Sequence, residues 1–397
     1  MHILMITDVY FPRINGVSTS IKTYRAALRE MGHKVTIIAP DYGKTTDDEA
    51  GIIRIPSRGL LVDKEDRMMK SRHIFRLVKQ LKDMDIDIIH IQTPFVAHYA
   101  GLKLARILDV PKVESYHTFF EEYLYHYVPF LPKALMKSVA RRFSKSQCNS
   151  VDAIVVPSTA MLEALRGYGV EATAEIIPTG LDLRRFKGGD GAAFRKKYGI
   201  EKDRPVLLNV GRVAHEKNID FLIHVLHEVV QTIPDILLVI VGEGPAEKHL
   251  HALVKELGLQ ANVRFIGYLD RDTELKDCYC AGDMFVFASR TETQGLVLLE
   301  AMALGVPVIS TAVMGTRDII EPERGAIHAR EDIFDFSKKI VSTIKDKHLL
   351  HLLSIHAQLF SSGWSDQCFT RKMLNLYCVA IIEHEIHYTT NVVSENG

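Results

Sequence analysis

One stretch in the second half of the chain constrains the fold more than any other. Residues 283–288, Asp-Met-Phe-Val-Phe-Ala, form an apolar run short and dense enough to be a strand buried on both faces. A polar turn follows, then Gly295 and a helix-like segment that ends at Gly305 and Pro307, before a second apolar run at 306–309. This pattern predicts a β-α-β unit. Its polar turn lies between a strand's carboxyl end and a helix's amino end, where open parallel sheets bind ligands.

Two carboxylates mark this unit. Glu292 lies in the turn, and Glu300 lies eight residues further on, in the predicted helix. Ionised carboxylates repel phosphate but accept hydrogen bonds from sugar and ribose hydroxyls, whereas Arg290 and the backbone N–H groups after Gln294 can face an anion. Either glutamate alone would more simply be a solvated surface residue. Their position at a strand end, with glycines at both helix ends, favours a nucleotide-sugar site.

The alternation of strands and helices runs through both halves of the chain. Strands are predicted at 3–7, 34–39, 52–55, 86–91, 112–116, 151–156, 175–177, 206–210, 236–241 and 263–266, with helices at 17–31, 65–84, 96–108, 336–359 and 364–384 among others. This α/β alternation predicts doubly wound parallel sheets.

The glycine-rich segment 187–191 is the best candidate for a linker between two domains. We therefore expect two Rossmann-like domains that face each other across a cleft, with a terminal helix and a short polar tail. The expected bounds are 1–186 and 187–363 for the domains, 364–385 for the helix and 386–397 for the tail.

Composition excludes several classes of function. Lys and Arg total 49, as do Asp and Glu, so the chain lacks the positive charge typical of nucleic-acid-binding proteins. The 5 cysteines contain no C-x-x-C pair, which argues against a disulfide framework or structural zinc and favours the cytoplasm. The N-terminal apolar run is too short for a signal peptide, and no stretch suits a membrane span. No G-x-G-x-x-G motif indicates a nicotinamide or flavin cofactor.

A pair of cations follows the predicted strand at 206–210. Arg212 offers a planar fork and Lys217 a flexible point charge, and both can reach one diphosphate across a turn. Such a pair needs no metal, so we expect neither a metal ion nor a cofactor. Of two Asp-x-Asp triplets, 85–87 reads as structural, and 270–272 is a weak metal candidate beside a helix start that Asp commonly caps. The cations alone would equally suit a charged surface loop, but beside the two glutamates the diphosphate site is favoured.

The chain resembles the retaining GT-B glycosyltransferases of family four. The matching motifs are Gly-Arg-x-x-x-x-Lys-Asn at 211–218, Glu, seven residues and Glu at 292–300, Asn-Gly at 15–16, and Pro-Thr-Gly at 178–180. They occur in family order from residue 1 to about 380. Many members have Glu-Gly-Phe-Gly where this chain has Glu-Thr-Gln-Gly at 292–295. That variant, with Tyr-His-Thr at 116–118, is similar to the diacylglycerol glucosyltransferase branch.

The resemblance implies a GT-B fold whose first domain binds the acceptor, whose second binds the nucleotide sugar, and whose terminal helix crosses back onto the first. It implies transfer of a hexose, from UDP-glucose or GDP-mannose, to a hydroxyl of a membrane lipid such as diacylglycerol, giving an alpha-glycoside. Retention is explained in this family by front-face attack, with the leaving phosphate helping to take the acceptor proton. This fits the lack of a glycosidase-like carboxylate pair.

The resemblance also assigns roles to residues. Arg212 and Lys217 would hold the diphosphate, Glu292 the donor-sugar hydroxyls, and Glu300 the ribose. His117 would contact the sugar near its sixth carbon and help place the acceptor, so His117, Arg212, Lys217 and Glu292 are the expected catalytic residues. The donor site would further include Gly16, Gly211, Gly242, Thr293, Gln294, Gly295, Leu296 and Glu300.

An aromatic segment at 123–132 leads into residues 133–145, which contain five cations and no acidic residue. On a helix Leu135, Val139 and Phe143 would form one stripe with cations beside it, which suits the boundary of an anionic membrane. A core-facing helix with a solvated basic face is the alternative. Because the segment follows His117, we expect a cytoplasmic protein peripherally bound to the inner face of the cell membrane. The residues expected to contact acceptor or membrane are Asn15, His117, Thr118, Tyr123, Lys133, Lys137, Arg141 and Arg142.

Other functions remain open. One is a glycosyltransferase of polysaccharide or lipopolysaccharide assembly with a sugar acceptor. A nucleotide-sugar 2-epimerase shares the two-domain architecture but would need carboxylates acting as acid and base at the sugar. A non-catalytic nucleotide-sugar-binding protein would be indicated by loss of His117, Arg212, Lys217 or Glu292, and all four are present.

Overall fold

The computed structural model describes residues 1–43, 50–59, 67–117, 133–271 and 273–395. The chain divides into two compact units. Unit 1 comprises Met1–Gly180 and Asp366–Gly397, and unit 2 comprises Leu181–Ser365.

Unit 1 is built on a seven-stranded parallel sheet of order β3-β2-β1-β6-β7-β8-β9, with a separate antiparallel pair, β4 and β5. Its strands are β1 His2–Ile6, β2 Lys34–Pro40, β3 Ile52–Ile55, β4 Ser57–Gly59, β5 Arg67–Met69, β6 Ile88–Ile91, β7 Lys112–Ser115, β8 Ala153–Val156 and β9 Thr173–Ile176. The helices in the first segment of unit 1, Met1–Gly180, are α1 Gly16–Glu30, α2 Ser71–Arg76, α3 Val78–Lys82, α4 Val96–Leu108, α5 Lys133–Cys148 and α6 Thr159–Gly167. The central strands are buried along their whole length, as strands covered on both faces must be.

Unit 2 is built on a six-stranded parallel sheet of order β12-β11-β10-β13-β14-β15. Its strands are β10 Val206–Val210, β11 Leu237–Val241, β12 Val263–Gly267, β13 Met284–Phe287, β14 Val308–Ser310 and β15 Ala326–His328. Its α-helices are α7 Gly191–Lys197, α8 Ile219–Val229, α9 Glu247–Glu256, α10 Glu274–Ala281, α11 Leu296–Ala303, α12 Arg317–Ile320, α13 Ile333–Lys345 and α14 Lys347–Ser362. Separate apolar clusters on the sheet's two faces confirm the predicted doubly wound architecture.

The β-α-β unit predicted at 283–309 is present as β13, α11 and β14. The two strands pair in parallel, with Phe285 opposite Val308, and all of their residues are buried. The helix begins only at Leu296, so Glu292 lies in the preceding turn and Glu300 in the helix.

The last helix, α15 Asp366–Glu395, belongs to unit 1. The hydroxyl of fully buried Tyr377 lies 2.6 Å from Nδ1 of buried His90, whose Nε2 lies 2.8 Å from the Ser115 hydroxyl. The helix thus packs on the unit-1 sheet, as expected for a terminal helix that crosses back onto the first domain. It also continues through the expected polar tail, because no glycine or proline interrupts the sequence before Gly397.

Two local expectations differ from the structure. The helix predicted at 65–84 is wrong: the described residues of that segment form β5, which pairs with β4, followed by the short helices α2 and α3. Strand pairing and burial of Met69 override the helical pattern there. The glycine-rich segment expected to be a linker lies within unit 2 and packs on α10, since a Cβ at Gly191 would lie 2.2 Å from the Cys280 carbonyl oxygen.

Candidate functional site

The loops that follow β10 and β11 lie against each other at the carboxyl edge of the unit-2 sheet. Gly242 adopts φ 126°, and a Cβ there would lie 2.0 Å from the carbonyl oxygen of Gly211. The Gly211 N–H donates to Val241 at 2.9 Å, and the Gly242 N–H donates to Gly267 at 2.8 Å. Both glycines predicted for the donor site therefore lie where strand ends meet, and only glycine fits at position 242.

The two predicted cations differ in their surroundings. Arg212 is exposed and makes no side-chain hydrogen bond or ion pair in the described part of the chain. Lys217 ends a 3₁₀ turn, His215–Lys217, and its Nζ donates to Glu292 Oε2 at 2.7 Å. The Lys217 and Glu292 side chains are 24% and 22% exposed. The structure thus brings together a residue predicted to bind phosphate and one predicted to bind the sugar.

A second set of contacts holds this turn against the end of β13. Asn218 adopts φ 57° and its side-chain amide donates to the carbonyl of Ala288 and to Glu331, both at 3.2 Å. Glu331 also accepts from Arg290 Nε at 2.9 Å. The Arg290 guanidinium therefore faces a carboxylate of the protein, and its contact with an anionic ligand stays a prediction. Arg290 and Glu331 link the two loops that carry Lys217 and Glu292.

The turn at 292–295 is held from behind by a neighbouring 3₁₀ helix, Met314–Thr316. The Gly315 N–H donates to the carbonyl of Glu292 at 2.9 Å, and a Cβ at Gly315 would lie 1.9 Å from the Thr293 carbonyl oxygen. Gln294 is buried and Thr293 is half-buried, while Gly295 directly precedes α11 and Leu296 begins it. The backbone of the turn is therefore fixed by packing.

Glu300 is a buried carboxylate, only 2% exposed. Its Oε1 accepts from the Arg271 guanidinium, and its Oε2 accepts from the Tyr279 hydroxyl at 2.9 Å. Burial raises the pKa of Glu300, while the positive charge of Arg271 opposes that rise. The carboxylate in turn raises the pKa of Arg271, as expected for an ion pair.

In unit 1, His117 follows β7 at the carboxyl edge of the sheet. Its Nε2 lies 3.2 Å from Oε1 of buried Gln92, and burial lowers the pKa of His117 to about 4. The imidazole is therefore neutral near pH 7, and it suits a hydrogen-bonding role better than that of a cation. His117 borders a small cleft in unit 1 whose other lining residues lie on α1, at the ends of β7 and β8, and after β8 and β9: Ser20, Tyr24, Ser115, Val155, Pro157, Ile177 and Thr179.

Asn15 and Gly16 begin α1. The Asn15 side chain accepts from the Ser18 N–H at 2.9 Å, and the Ser18 hydroxyl accepts from the Asn15 N–H at the same distance, which forms a capping box. A Cβ at Gly16 would meet nothing within 4 Å. Asn15 thus has a structural role in this chain, and the side of the backbone at Gly16 is open to a ligand.

Helix α5 carries four of the eight residues predicted to contact acceptor or membrane. Leu135 and Val139 are 52% and 51% exposed, Arg142 is exposed on the same side of the helix, and Lys137 and Arg141 are exposed on the other side. The buried face is formed by other residues: Met136, Ala140, Ser144, Gln147 and Cys148.

Phe143, predicted to share the exposed stripe, is half-buried and packs against the core of unit 1. The stripe predicted through Leu135, Val139 and Phe143 is therefore divided: Leu135 and Val139 face solvent, while Phe143 packs on the core. Thr118, Tyr123 and the side chain of Lys133 lie outside the described residues.

Sequence reasoning missed three residues that shape these sites. Arg271 and Tyr279 bind Glu300 from a loop and a helix that no local motif connects to it. Asp8, at the end of β1, is buried and accepts from the Thr93 hydroxyl at 2.8 Å and from the Ala97 N–H at 3.1 Å, in place of a side-chain cap for α4. Burial raises the pKa of Asp8 to about 6. The position of this aspartate, directly after the first predicted strand, was a sequence signal that could have identified it.

Within the residues that the structure describes, no group of three or more His, Cys, Asp or Glu side chains could hold a metal ion. Asp270 accepts from the Thr273 N–H at 3.0 Å near the start of α10, and Asp272 lies outside the described residues. No helix among the described residues combines the length and apolarity needed to cross a bilayer.

Comparison with known families gives a match in each half of the chain. The model of "Glycosyl transferases group 1" matches residues 190–359, and that of "Glycosyltransferase Family 4" matches residues 14–185. The alpha-monoglucosyldiacylglycerol synthase of Streptococcus pneumoniae is 34% identical over 324 residues, which span 78% of this chain and 71% of that protein. The alpha-monoglucosyldiacylglycerol synthase of Acholeplasma laidlawii is 26% identical over 390 residues, 95% of this chain and 96% of that one.

A solved structure supports the fold. The crystal structure of Anabaena Alr3699/HepE in complex with UDP aligns with a TM-score of 0.76 over 96% of this chain and 100% of its own, at 17% identity. This likeness confirms the expected GT-B fold and, at such low identity, is evidence for the fold alone.

Proposed function

This chain belongs to the glycosyltransferases of group 1 and family 4 and uses a nucleotide sugar, and we propose that it transfers glucose from UDP-glucose to the hydroxyl of diacylglycerol with retention of configuration. Two relatives that match most of the chain carry the name alpha-monoglucosyldiacylglycerol synthase. That name supports the sugar, the acceptor and the alpha configuration of the product.

The observation that carries the proposal is the contact of Lys217 with Glu292 at the carboxyl edge of the unit-2 sheet. A cation for phosphate and a carboxylate for hydroxyls lie side by side, as a nucleotide sugar requires, since its diphosphate is bonded directly to the sugar. Exposed Arg212 is available as the second phosphate cation. Glu300 is proposed to accept hydrogen bonds from the ribose.

In the proposed reaction the acceptor oxygen bonds to the anomeric carbon on the face from which the phosphate leaves. The bond between that carbon and the phosphate oxygen breaks, its electron pair stays on UDP, and the acceptor proton passes to the leaving phosphate. Arg212 and Lys217 stabilise the charge that develops on the phosphate. In this scheme they do the work that a divalent ion does elsewhere, so the reaction is proposed to be metal-independent.

His117 is proposed to act as a neutral hydrogen-bonding residue. Because burial lowers its pKa to about 4, it is uncharged near pH 7 and can both donate and accept a hydrogen bond. Gln92 fixes the imidazole through Nε2, which leaves Nδ1 for a sugar or acceptor hydroxyl. The cleft beside it, in unit 1, would receive the acceptor end that reacts.

Helix α5 is proposed to dock on anionic membrane. Its exposed arc carries Leu135, Val139 and Arg142 on one side and Lys137 and Arg141 on the other, and its sequence contains no acidic residue. Each basic residue near an anionic surface contributes about 1 kcal/mol of attraction. Such docking would bring a lipid acceptor, which does not leave the bilayer, to the enzyme.

The test of membrane docking is vesicle sedimentation with a charge-matched control. The Lys137→Ala, Arg141→Ala and Arg142→Ala triple variant should lose about 100-fold in partitioning to anionic vesicles, from about 1 kcal/mol per residue. A control variant with alanine at the exposed lysines of unit 2, Lys202, Lys248 and Lys255, should bind as the wild type does. Equal losses in both variants, or no binding by the wild type, would contradict docking through α5.

The test of donor and acceptor is a transfer panel. UDP-glucose and GDP-mannose are each offered with diacylglycerol in anionic vesicles and with a soluble sugar acceptor. We expect transfer from UDP-glucose to diacylglycerol, and loss of that transfer in Arg212→Ala and Lys217→Ala. Transfer only to the soluble sugar would favour the alternative, a glycosyltransferase of glycan assembly, and interconversion of the donor sugar without transfer would favour an epimerase.

A further inference from the structure

Glu300 is the most deeply buried charged group of the candidate donor site. A carboxylate in the interior is costly unless it is paired and hydrogen-bonded. Its partners in this structure come from two segments outside the 283–309 unit in which Glu300 lies. Arg271 follows β12, and Tyr279 lies in α10.

The two partners donate hydrogen bonds to different oxygens of the Glu300 carboxylate. The Arg271 guanidinium binds Oε1 and the Tyr279 hydroxyl binds Oε2, so the rotation of the carboxylate plane is fixed by donors from two directions. Arg185 adds a third, longer-range positive charge. Both hydrogen bonds are charge-assisted, which makes them stronger than neutral ones.

A carboxylate oxygen can accept about two hydrogen bonds. Each oxygen of Glu300 accepts one of these hydrogen bonds, which leaves one acceptor position on each, and the exposed 2% of the side chain is where a ligand would reach them. A ribose presents two neighbouring hydroxyl donors, which match two neighbouring acceptors held in one plane. From this geometry, and resting on the proposed function, we infer that Arg271 and Tyr279 are positioning residues that hold Glu300 for the ribose 2′- and 3′-hydroxyls of the donor.

Tyr279 gives the cleaner probe of the two. It is fully buried, so its hydroxyl acts on a ligand only through Glu300. Arg271 has a side chain that is 40% exposed and could also touch a nucleotide directly. Burial raises the pKa of Glu300, and the Tyr279 hydroxyl and the Arg271 charge both oppose that rise, so removing either should weaken binding first at acid pH.

The test compares the affinities of UDP and 2′-deoxy-UDP for the wild type, Tyr279→Phe and Glu300→Gln by calorimetry. Tyr279→Phe removes only the hydroxyl and keeps the buried ring. We expect the wild type to prefer UDP over 2′-deoxy-UDP, and Tyr279→Phe to lose about tenfold in UDP affinity with a much smaller loss for 2′-deoxy-UDP. Tyr198→Phe, a half-buried tyrosine of the same unit, should keep the wild-type preference.

The possible outcomes distinguish a failure of the positioning role from a failure of the proposed UDP-sugar donor. A wild type that does not bind UDP would overturn the donor proposal itself. A wild type that prefers UDP, beside a Tyr279→Phe variant with the same preference or with equal losses for both nucleotides, would overturn the positioning role. If Tyr279→Phe does not fold, Arg271→Gln is compared instead. Because Arg271 could also touch the nucleotide directly, only the ratio of the UDP and 2′-deoxy-UDP affinities is used: a smaller preference for UDP supports the positioning role, and an unchanged preference overturns it.

Discussion

Replacing Glu292 by Gln should change nucleotide binding and sugar transfer in opposite directions. Lys217 Nζ donates to Glu292 Oε2 at 2.7 Å, with both side chains about a quarter exposed. A diphosphate must therefore share Lys217 with this carboxylate, which also repels it. Exposed pairs are worth about 0.2–1 kcal/mol, and this short, mostly covered pair belongs at the upper end of that range. Freeing Lys217 and removing the repulsion should together contribute about 1–2 kcal/mol.

By that reasoning Glu292→Gln should bind UDP about 5- to 30-fold more tightly than the wild type, as measured by calorimetry. The same variant loses a charged acceptor for the sugar hydroxyls, worth about 1.5–3 kcal/mol, so transfer from UDP-glucose should fall at least about tenfold. Glu256→Gln makes the same charge change at the exposed end of α9 and should alter neither. Unchanged or weaker UDP binding in Glu292→Gln, or unimpaired transfer, would refute the assignment of these two residues.

Three further expectations concern stability and the donor turn. Tyr377→Phe leaves buried His90 without a partner at Nδ1 and should lower the free energy of unfolding by about 1–3 kcal/mol in urea, with faster hydrogen exchange in α15, whereas Tyr198→Phe should not. Gly315→Ala places a Cβ 1.9 Å from Thr293 O and should weaken UDP-glucose binding, while Gly167→Ala, in open space, should be neutral; equal affinities in the two variants would contradict the packing of the turn. Burial raises the pKa of Asp8 from 3.8 to about 6, so its contribution to stability is present below pH 3.8 and is lost as pH rises through 6. The free energy of unfolding of the wild type relative to Asp8→Asn should thus fall by up to about 3 kcal/mol between pH 4 and 7, and a pH-independent difference would contradict that shift.

The parts of the fold that the sequence predicted are those with strong local patterns. Buried parallel strands read as dense apolar runs, and β10 was predicted at its observed bounds because Pro205 and Gly211 flank it. The segment 65–84 was predicted wrongly because its β5 strand depends on pairing with β4, a contact that local periodicity does not contain. The linker was misplaced for a related reason. Gly189 and Gly191 allow close packing on α10. In a sequence, glycines needed for close packing cannot be distinguished from glycines of a flexible linker.

The candidate site was predictable where its residues lie in one motif. Lys217 and Glu292 were expected near one ligand from their positions after two strands, and the structure places them in contact. The partners of Glu300 could not be predicted in this way, because Arg271 and Tyr279 reach it only through the packing of α10 on the sheet. The partner of Arg290 was equally unpredictable, because Glu331 lies 41 residues later in the chain and no local pattern connects the two.

The most direct test of the central claim is the product of a single reaction carried out in excess EDTA. Purified protein is mixed with UDP-glucose and with diacylglycerol in anionic vesicles, and the extracted lipid is analysed by NMR for the configuration at the anomeric carbon. We expect monoglucosyldiacylglycerol with the alpha configuration at an undiminished rate, because Arg212 and Lys217 are proposed to replace a metal at the diphosphate. A beta-linked product, or a reaction that stops in EDTA and resumes with magnesium or manganese, would contradict it.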